Sequence, residues 1–283
     1  MTEQELTDRV LAKIAGAPDP RFRAVMLALV KHLHGFIREA GLTQAEWRTA
    51  IDFLTATGQK CDDKRQEFIL LSDTLGVSML VDAVNHRSHR GATESTVLGP
   101  FYVEGAPPMP NGADIAAGEV GVPTFVSGRV TDVDGKPVAG ALLDVWQTDA
   151  DGFYDVQRPD KGEMRLRGKF QADAEGRYRF RTVKPVPYPI PTDGPVGRML
   201  DQLGRHPYRP AHLHMIVSAA EHAPVATHIF VAGDPYIESD AVFGVKPSLI
   251  VDFTEQPAGQ APDGTAIDRP FCDIRFDFTL AKA

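Results

Sequence analysis

Cysteine is scarce in this chain: only Cys61 and Cys272 occur among 283 residues. Two cysteines are too few for a disulfide framework, and they lack the close spacing of paired thiolate ligands. We expect both thiols to be free and reduced. No apolar run approaches the ~18 residues that a bilayer span requires. The first eight residues carry Glu3, Glu5 and Asp8, where a secretory signal would have basic residues. These absences predict a cytoplasmic protein that does not span a membrane.

Basic residues are fewer than acidic residues, 30 against 38. The formal net charge is -8 and the sequence pI is near 5.6. A dedicated nucleic-acid-binding protein needs a basic face for phosphate contacts, so no nucleic-acid partner is expected. Hydrophobic residues make up 43% of the chain and charged residues 24%, which is typical of a globular protein with a substantial core.

The first third of the chain has helical signals. Asp19 precedes Pro20, a pattern typical of an N-cap followed by proline at the first helical position, and Gly41 supplies a stop. Thr43 and Glu46 have the spacing of a capping box at the start of a second helix. The sequence therefore predicts consecutive helices in this region.

The second of these helices is predicted to end at Gly58, and a third apolar stretch runs over residues 62–85 with Gly76 as a break. These helices carry more apolar side chains than one small core can bury. Such a surplus predicts packing against another domain or a partner subunit.

Residues 105–123 are rich in proline and glycine and predict a surface connection. After this connection the hydrophobic period changes to two, and Asp-Gly and Glu-Gly pairs separate the short apolar runs. Many short strands with such turns predict a β-sandwich or barrel. We predict a helical domain over residues 1–104 and a β domain over residues 124–283. The predicted strands cover residues 125–130, 141–146, 177–180, 213–217, 227–231 and 274–278.

Two His-Leu-His triplets occur in contrasting surroundings. His212 and His214 begin an apolar run after a proline, which predicts a strand on which both imidazoles project from one face. His32 and His34 lie in a stretch with helical spacing, where residues two apart are separated by roughly 200°. Only the first pair is therefore expected to share a metal ion. Taken alone, that pair also fits a half-buried polar strand edge.

Two tyrosines extend the candidate metal site. Tyr154 follows the Asp151-Gly152 turn, and Tyr188 lies in a proline-rich loop whose fixed φ values hold a side chain in place. Either tyrosine alone also fits an ordinary core residue with a bonded hydroxyl. Together with the histidine pair, they offer two phenol oxygens and two imidazole nitrogens. That donor set suits a ferric ion.

With these residues in place, the sequence resembles the intradiol ring-cleaving dioxygenases, which open catechols between their two hydroxyls. The resemblance implies a mainly β protein with an α-helical N-terminal part, that is, a prealbumin-like β-sandwich joined to a helical dimerisation domain. The matching segments are Asp144-Val-Trp-Gln147, Gly152-Phe-Tyr154, Arg177-Tyr-Arg-Phe-Arg-Thr182, Arg209-Pro-Ala-His-Leu-His214 and Val231-Ala-Gly-Asp-Pro235.

Within that family, the chain is most similar to the members that cleave hydroxyquinol and next to those that cleave catechol or chlorocatechols. A hydroxyquinol enzyme would use O2 to give 3-hydroxy-cis,cis-muconate (maleylacetate). The distinguishing segments are Thr93-Glu-Ser-Thr-Val-Leu-Gly-Pro-Phe-Tyr-Val-Glu-Gly105, Thr227-His-Ile-Phe-Val231 and Ser239-Asp-Ala-Val-Phe-Gly-Val-Lys246.

The resemblance also implies roles for individual residues. One Fe(III) per subunit would be held by Tyr154, Tyr188, His212 and His214. Tyr188 would also accept a proton from the arriving diol. Arg209 would lie beside the substrate ring, although it also fits an ordinary ion pair.

Other positions are expected around the substrate. His228 stands where many catechol-cleaving relatives have glutamine, and it is expected to donate a hydrogen bond near the metal. Asp73 matches a substrate-facing position and would bind a third ring hydroxyl; it also fits a solvated helix carboxylate or an N-cap. The remaining substrate-binding positions are Leu70, Gly99, Pro100 and Phe101.

The partners that follow are a small diol or triol, O2 and a second copy of the chain. The family's N-terminal helices form homodimers and often hold phospholipid in an apolar tunnel. Two rivals remain open at this point. A prealbumin-like binding module would lack the second tyrosine loop and the histidine pair. A zinc hydrolase would use both histidines with a bound water and would be colourless.

Overall fold

A computed structural model describes residues 1–63, 65–87, 91–158, 160, 162 and 164–283 of the chain. These residues form two compact units, 1–58 and 59–283. Among the described residues, no helix is both long and apolar enough to cross a bilayer. Cys272 is a buried free thiol. The sequence-based boundaries at residues 104 and 123, which concern domain roles, stay predictions.

Three helices make up the first unit: α1 (Glu3–Ile14), α2 (Pro20–Ala40) and α3 (Gln44–Gln59). The predicted ends of α2 are confirmed, because the Asp19 side chain accepts the Phe22 N–H and Gly41 adopts the left-handed conformation. The capping box that opens α3 is also present. The Thr43 backbone N–H donates to the Glu46 carboxylate, and the Glu46 backbone N–H donates to the Thr43 hydroxyl. The helix extends one residue past Gly58, so the predicted stop is early by one position.

The described part of the second unit contains three more α-helices: α4 (Glu67–Thr74), α5 (Val77–Asn85) and α6 (Pro195–Gln202). The predicted break at Gly76 is confirmed. This residue has φ of +71° and separates α4 from α5. A side chain at that φ would be strained, which glycine avoids.

Strands in the second unit form a β-sandwich. One sheet has the order β3-β2-β7-β8-β9, and the other has the order β10-β13-β1-β14 with β4 also paired to β1. Short pairs β5-β6 and β11-β12 lie outside these sheets. The strands are β1 (Pro123–Asp132), β2 (Leu142–Trp146), β3 (Arg167–Gln171), β4 (Arg177–Val183), β5 (Tyr188–Pro189), β6 (Tyr208–Arg209), β7 (His212–Ser218), β8 (Val225–Val231), β9 (Ile250–Val251), β10 (Glu255–Gln256), β11 (Gly259–Gln260), β12 (Ala266–Ile267), β13 (Phe271–Arg275) and β14 (Phe278–Leu280).

Successive side chains of β7 point alternately into the core and toward the candidate site. Leu213, Met215 and Val217 are fully buried and join the core that the two sheets share. Because successive side chains point to opposite faces of a strand, His212 and His214 project from the other face. The core thus fixes the direction in which both imidazoles point.

One predicted strand is interrupted in the structure. Residues 274–278 were expected to be continuous, but β13 ends at Arg275 and β14 begins at Phe278. Both strands pair with β1, and the interruption falls where the Phe276 carbonyl crosses Gly128. A Cβ on Gly128 would lie 1.8 Å from that oxygen, so only glycine admits the crossing. Nothing in the sequence indicates that Gly128 lies against Phe276, so the interruption was not predicted.

Candidate metal centre

Three histidines meet on the outer face of one sheet. The Nε2 atoms of His212 and His214 are 3.1 Å apart, which confirms that both imidazoles of this pair point the same way. His228 lies directly opposite His214 on the neighbouring strand β8, and Trp146 lies opposite it on β2. All three histidine rings are buried.

The buried histidines are arranged as neutral ligands. His212 Nδ1 lies 2.7 Å from the Pro210 carbonyl oxygen. Because a carbonyl can only accept, Nδ1 carries the proton and Nε2 keeps its lone pair. Burial, and then the Arg209 charge, lower the pKa of His212 to about 3. Burial also lowers the pKa of His214 well below its usual value. Metal binding requires this neutral form.

Tyr154 supplies the first phenol oxygen. Its hydroxyl lies 2.8 Å from His214 Nε2 and donates to the Tyr188 hydroxyl at 3.1 Å. Its backbone N–H is fixed by the Gln157 side chain in the short 3-10 turn that follows. Burial, and then the second phenol, raise the pKa of Tyr154 well above its usual value. A nearby cation would reverse that effect by stabilising the phenolate.

Tyr188 is positioned by a short ladder. In the β5-β6 pair it lies opposite Arg209, and its ring is buried. Gly152, with φ of +83°, permits the close approach of the Tyr154 turn, because a Cβ there would lie 3.0 Å from the Tyr188 Cβ. The Asp-Gly turn that predicted a strand end therefore also brings the two tyrosines together.

The four predicted donors converge on one point. The donor atoms of Tyr188 and Tyr154 are 3.1 Å apart, those of Tyr154 and His214 are 2.8 Å apart, and those of His214 and His212 are 3.1 Å apart. Metal bonds of about 2 Å at angles between about 90° and 110° place neighbouring ligand atoms about 2.8–3.4 Å apart. The donor set therefore fits a single metal ion, and the role of the four residues as ligands stays a prediction.

His228 offers a third imidazole, and its possible metal-ligand atom lies within 4.8 Å of those of His212 and His214. Its Nδ1 is hydrogen-bonded to the Thr96 hydroxyl. Within the described part of the chain, its buried Nε2 has no partner. Thr96 was missed in the sequence, because nothing in the segment 93–105 indicates which histidine it would contact.

Arg209 is buried beside the donor atoms. Its Nη1 lies 3.3 Å from His212 Nε2, while Nε and Nη2 donate to the two carboxylate oxygens of Asp240 at 3.1 and 3.3 Å. Burial disfavours the charged guanidinium, but Asp240 more than offsets this and leaves the pKa of Arg209 raised. The arginine is therefore a permanent cation at the site. Asp240 was missed as a partner in the sequence.

A second buried ion pair supports the opposite side of the site. Arg167 donates to both carboxylate oxygens of Asp155, the residue after Tyr154, and also to the Phe101 carbonyl at 2.8 Å. Trp146 stacks on the His214 ring with centroids 4.6 Å apart. These contacts hold Tyr154, His214 and the predicted pocket wall in fixed positions. Neither role was identified from the sequence, although Asp155 adjoins a predicted ligand.

Two of the three predicted wall residues contact the cluster. Gly99, with φ of +77°, lies so close to His214 that an added Cβ would be 3.3 Å from Cε1. Phe101 stacks on Tyr154 with centroids 4.5 Å apart. Pro100, between them, is exposed.

Leu70 and Asp73 are buried residues of α4. Burial raises the pKa of Asp73, and its carboxyl also experiences the charges of Arg209 and Asp240. Asp73 is therefore close enough to the Arg209 pair to interact with it electrostatically. This placement contradicts the reading of Asp73 as a solvated helix carboxylate, whereas its role in substrate binding stays a prediction.

Comparison with known proteins places this arrangement in a family. Residues 97–282 match the family described as "Dioxygenase", and residues 19–93 match "Catechol dioxygenase N terminus". The hydroxyquinol 1,2-dioxygenase of Nocardioides simplex is 51% identical over 99% of this chain and 96% of its own length. The 6-chlorohydroxyquinol 1,2-dioxygenase of Cupriavidus pinatubonensis is 54% identical over 91% of this chain and 93% of its own length.

Solved structures agree. The crystal structure of hydroxyquinol 1,2-dioxygenase from Pseudomonas putida DLL-E4 has a TM-score of 0.94 and 50% identity, covering 99% of both chains. That of catechol 1,2-dioxygenase from Pseudomonas arvilla C-1 has a TM-score of 0.84 and 32% identity, covering 99% of this chain and 91% of that one. The family matches, the similar relatives and the buried tyrosine and histidine cluster agree: the chain belongs to the intradiol ring-cleaving dioxygenase family.

Proposed function

We propose that this chain cleaves hydroxyquinol (1,2,4-trihydroxybenzene) between its 1- and 2-hydroxyls, with one Fe(III) per subunit held by Tyr154, Tyr188, His212 and His214. The product is 3-hydroxy-cis,cis-muconate, the tautomer of maleylacetate. Both atoms of O2 enter the product, so the reaction needs no external reductant. The observation that carries the proposal is the convergence of two phenols and two imidazoles at separations of 2.8–3.1 Å.

The choice of ferric iron follows from the donors. Phenolate oxygens are hard anionic ligands, which favour the higher oxidation state of iron. When bound, Fe(III) would chelate the diol and make its ring reactive toward O2. His212 is orientated for this by its Nδ1–H bond to the Pro210 carbonyl, the outer contact expected of a metal-ligating histidine.

A zinc site built from His212, His214 and His228 is the competing reading of the same cluster. Three histidines with a bound water would make a catalytic zinc site. Such a site would not use the Tyr154 hydroxyl as a ligand, although this hydroxyl lies 2.8 Å from His214 Nε2. The tyrosine contact therefore favours iron, and the colour of the protein separates the two metals.

Tyr188 is proposed to accept a proton from the incoming diol. It is buried, and it lies opposite Arg209 in the β5-β6 pair. By taking up that proton, the Tyr188 phenolate would act as a general base at the place where the substrate hydroxyl arrives. The positive charge of Arg209 then lies beside the substrate ring, where it stabilises negative charge that develops during cleavage.

The pocket is proposed to distinguish hydroxyquinol by its third hydroxyl. Asp73 is 4% exposed, and it lies near the Arg209 charge. Its carboxylate accepts a hydrogen bond from Ser78, and because a carboxylate has room for several donors, it could also accept one from a substrate hydroxyl. Leu70, one helical turn earlier, together with Gly99, Pro100 and Phe101, would form the apolar wall around the ring.

His228 is proposed to donate from Nε2 toward the substrate or oxygen. Its Nδ1 is bonded to the Thr96 hydroxyl, and Nε2 has no other partner among the described residues. If Nδ1 accepts from Thr96, the ring proton lies on Nε2. A buried donor without a partner would then be satisfied when a ligand arrives.

The first unit is proposed to join two copies of the chain and to hold phospholipid. Apolar side chains on α2 remain solvent-exposed, among them Phe22, Leu29 and Phe36 at 58%, 53% and 54%. Exposed apolar surface of this kind is typical of protein or lipid contacts. Sedimentation of the wild type and of Phe22→Glu should show a dimer that the charge weakens. We also propose a cytoplasmic location, in keeping with a content of only two cysteines.

Oxygen uptake with hydroxyquinol, catechol, chlorocatechols and protocatechuate, compared side by side, tests the substrate. We expect hydroxyquinol to give the highest kcat/KM, and we expect Asp73→Ala to reduce its advantage over catechol by at least about tenfold. A strong preference of the wild type for plain catechol would assign the chain to the alternative substrate class. An unchanged preference in Asp73→Ala would remove Asp73 from substrate recognition.

A further inference from the structure

Asp240 makes more contacts than an ordinary ion-pair partner. Its side chain is buried, and each oxygen accepts from one nitrogen of the similarly buried Arg209: Oδ1 from Nε at 3.1 Å and Oδ2 from Nη2 at 3.3 Å. These two parallel hydrogen bonds, here called the fork, fix the plane of the guanidinium because they allow little rotation.

The fork leaves a single nitrogen free to face the metal centre. Nη1 of Arg209 lies 3.3 Å from His212 Nε2, the atom proposed to bind iron. Once a metal takes that lone pair, Nη1 keeps its direction and loses its acceptor. It then points at whatever lies next to the metal. The orientation of this donor therefore depends on the two bonds that Asp240 makes to the other side of the guanidinium.

The same carboxylate also shapes the chain around the arginine. Its oxygens accept the backbone N–H groups of Val242 at 3.2 Å and Gly244 at 2.9 Å. Phe243, between them, has φ of +58°, a conformation that costs a non-glycine residue about 1–3 kcal/mol unless its surroundings impose it. The turn is thus held closed against Arg209.

Gly244 shows how close this packing is. A Cβ there would lie 2.9 Å from Arg209 Nη2 and 3.2 Å from Asp240 Oδ2. Any side chain at this position would displace the end of the guanidinium or the carboxylate. The glycine therefore offers a second way to move Arg209, one that leaves every charge in place.

We propose that Asp240 is the positioning residue of Arg209: it binds Nε and Nη2 so that Nη1 is directed at the substrate bound beside His212. This inference rests on the proposed function, in which Arg209 stabilises charge on the substrate ring. Asp240 itself touches neither the metal donors nor, in this account, the substrate. Its effect on the reaction passes through the arginine alone.

A double-mutant cycle separates positioning from general structural support. We expect Asp240→Asn to lower kcat at least about tenfold, because misplacing a reacting group by a fraction of an ångström is enough for such a loss. KM should change by less than about threefold, since the interaction is strongest in the transition state. In an Arg209→Met background, Asp240→Asn should change kcat by less than about twofold, since the group it positions is already gone.

Gly244→Ala provides the same test without loss of charge, and it remains usable if Asp240→Asn does not fold. It should lower kcat in the wild type but not in Arg209→Met. Asp263→Asn is the matched control for Asp240→Asn, because it removes a carboxylate paired with Arg181, a strand β4 residue of the other sheet. Gly35→Ala is the control for the added methyl, since its Cβ would meet no atom within 4 Å. Both controls should retain wild-type kcat.

The outcomes are distinct. Equal losses of kcat for Asp240→Asn in both backgrounds, or an unchanged kcat in the wild-type background, would overturn the positioning role while leaving the proposed function intact. If the wild type consumes no oxygen with any diol, the proposed function fails, and this inference fails with it. Iron content, measured in every variant, should stay at the wild-type level, because Asp240 is not a ligand. A loss of iron in Asp240→Asn would also contradict the assignment.

Discussion

The same tripeptide occurs twice in this chain and has opposite consequences. His32 and His34 lie on helix α2, where one is exposed and the other contacts the Thr7 hydroxyl at 3.0 Å. His212 and His214 lie on strand β7, and their Nε2 atoms are 3.1 Å apart. The helical period rotates alternate residues away from each other, whereas the strand period places them on one face. Backbone geometry, rather than composition, decides whether two histidines can share a metal.

The central leucines of the two triplets differ in burial. Leu213 is fully buried in the core between the sheets, whereas Leu33 is 49% exposed. On the strand, the leucine holds the site in place because it is fixed on the opposite face. On the helix, no such division exists. The strand triplet therefore couples the core to the chemistry, and each of its residues should be more sensitive to change than its helical counterpart.

The largest difference is expected from removing one histidine of each pair. His214→Ala deletes a proposed ligand and should lower kcat/KM by more than about 100-fold, since even outer-shell partners of metal ligands cost 10–100-fold. His32→Ala should leave activity within about twofold of wild type, because substitutions of exposed residues usually have little effect. Oxygen uptake and iron content of both variants provide the measurement. Equal losses of activity in the two variants would contradict the distinction between the strand pair and the helical pair.

The leucines provide the next largest contrast. Leu213→Ala should lower the free energy of unfolding by about 2–5 kcal/mol, because a buried leucine leaves a cavity when truncated. Leu33→Ala should cost less than about 1 kcal/mol. Urea unfolding of the two variants and the wild type, at one fixed protein concentration, measures both values. A cost for Leu33→Ala as large as that for Leu213→Ala would show that the helical leucine is buried in an interface.

Acid should destabilise the metal-free protein through the strand histidines. The pKa of His212 is about 3 in the folded chain, against an ordinary value of 6.5. Between these values the unfolded chain binds more protons, so stability falls as the pH drops below 6.5. His212→Asn should reduce this slope by up to about 1.4 kcal/mol per pH unit. Urea unfolding at about pH 7 and about pH 5 measures it, and an unaltered slope would show that the buried ring does not titrate this way.

Only a small effect is expected at His34. His34→Ala removes one of two side-chain partners of the buried Thr7 hydroxyl, the other being Arg38 Nη1 at 2.9 Å. The loss of one hydrogen bond should cost about 0.5–1.5 kcal/mol. Activity per iron should not change. Thermal unfolding together with oxygen uptake checks both statements, and a fall in activity would mean that the helical triplet contributes to function after all.

Local signals predicted much of this fold. The ends of α2, the capping box of α3 and the break at Gly76 depend on residues within one turn of each other, so the sequence displays them directly. The facing of His212 and His214 follows from strand period alone. The interruption between β13 and β14 was missed because it depends on the approach of Phe276 to Gly128, a contact between distant parts of the chain.

The same limit applies to the site. The four proposed donors were identified because the spacing of their motifs resembles a family. Their supporting partners were not: Asp240 holds Arg209 across 31 positions, and Thr96 meets His228 across 132. Such contacts are set by how the sheets and loops pack, which no local period reveals. Positioning residues therefore had to come from the structure.

Visible absorption and metal content of the purified wild type and of Tyr154→Phe test the central claim most directly. One iron per chain with a red-brown phenolate-to-iron band in the wild type, and a weaker, shifted band in the variant, would agree with a ferric centre that uses this tyrosine. A colourless wild type that contains zinc, or an iron protein whose spectrum Tyr154→Phe leaves unchanged, would contradict it.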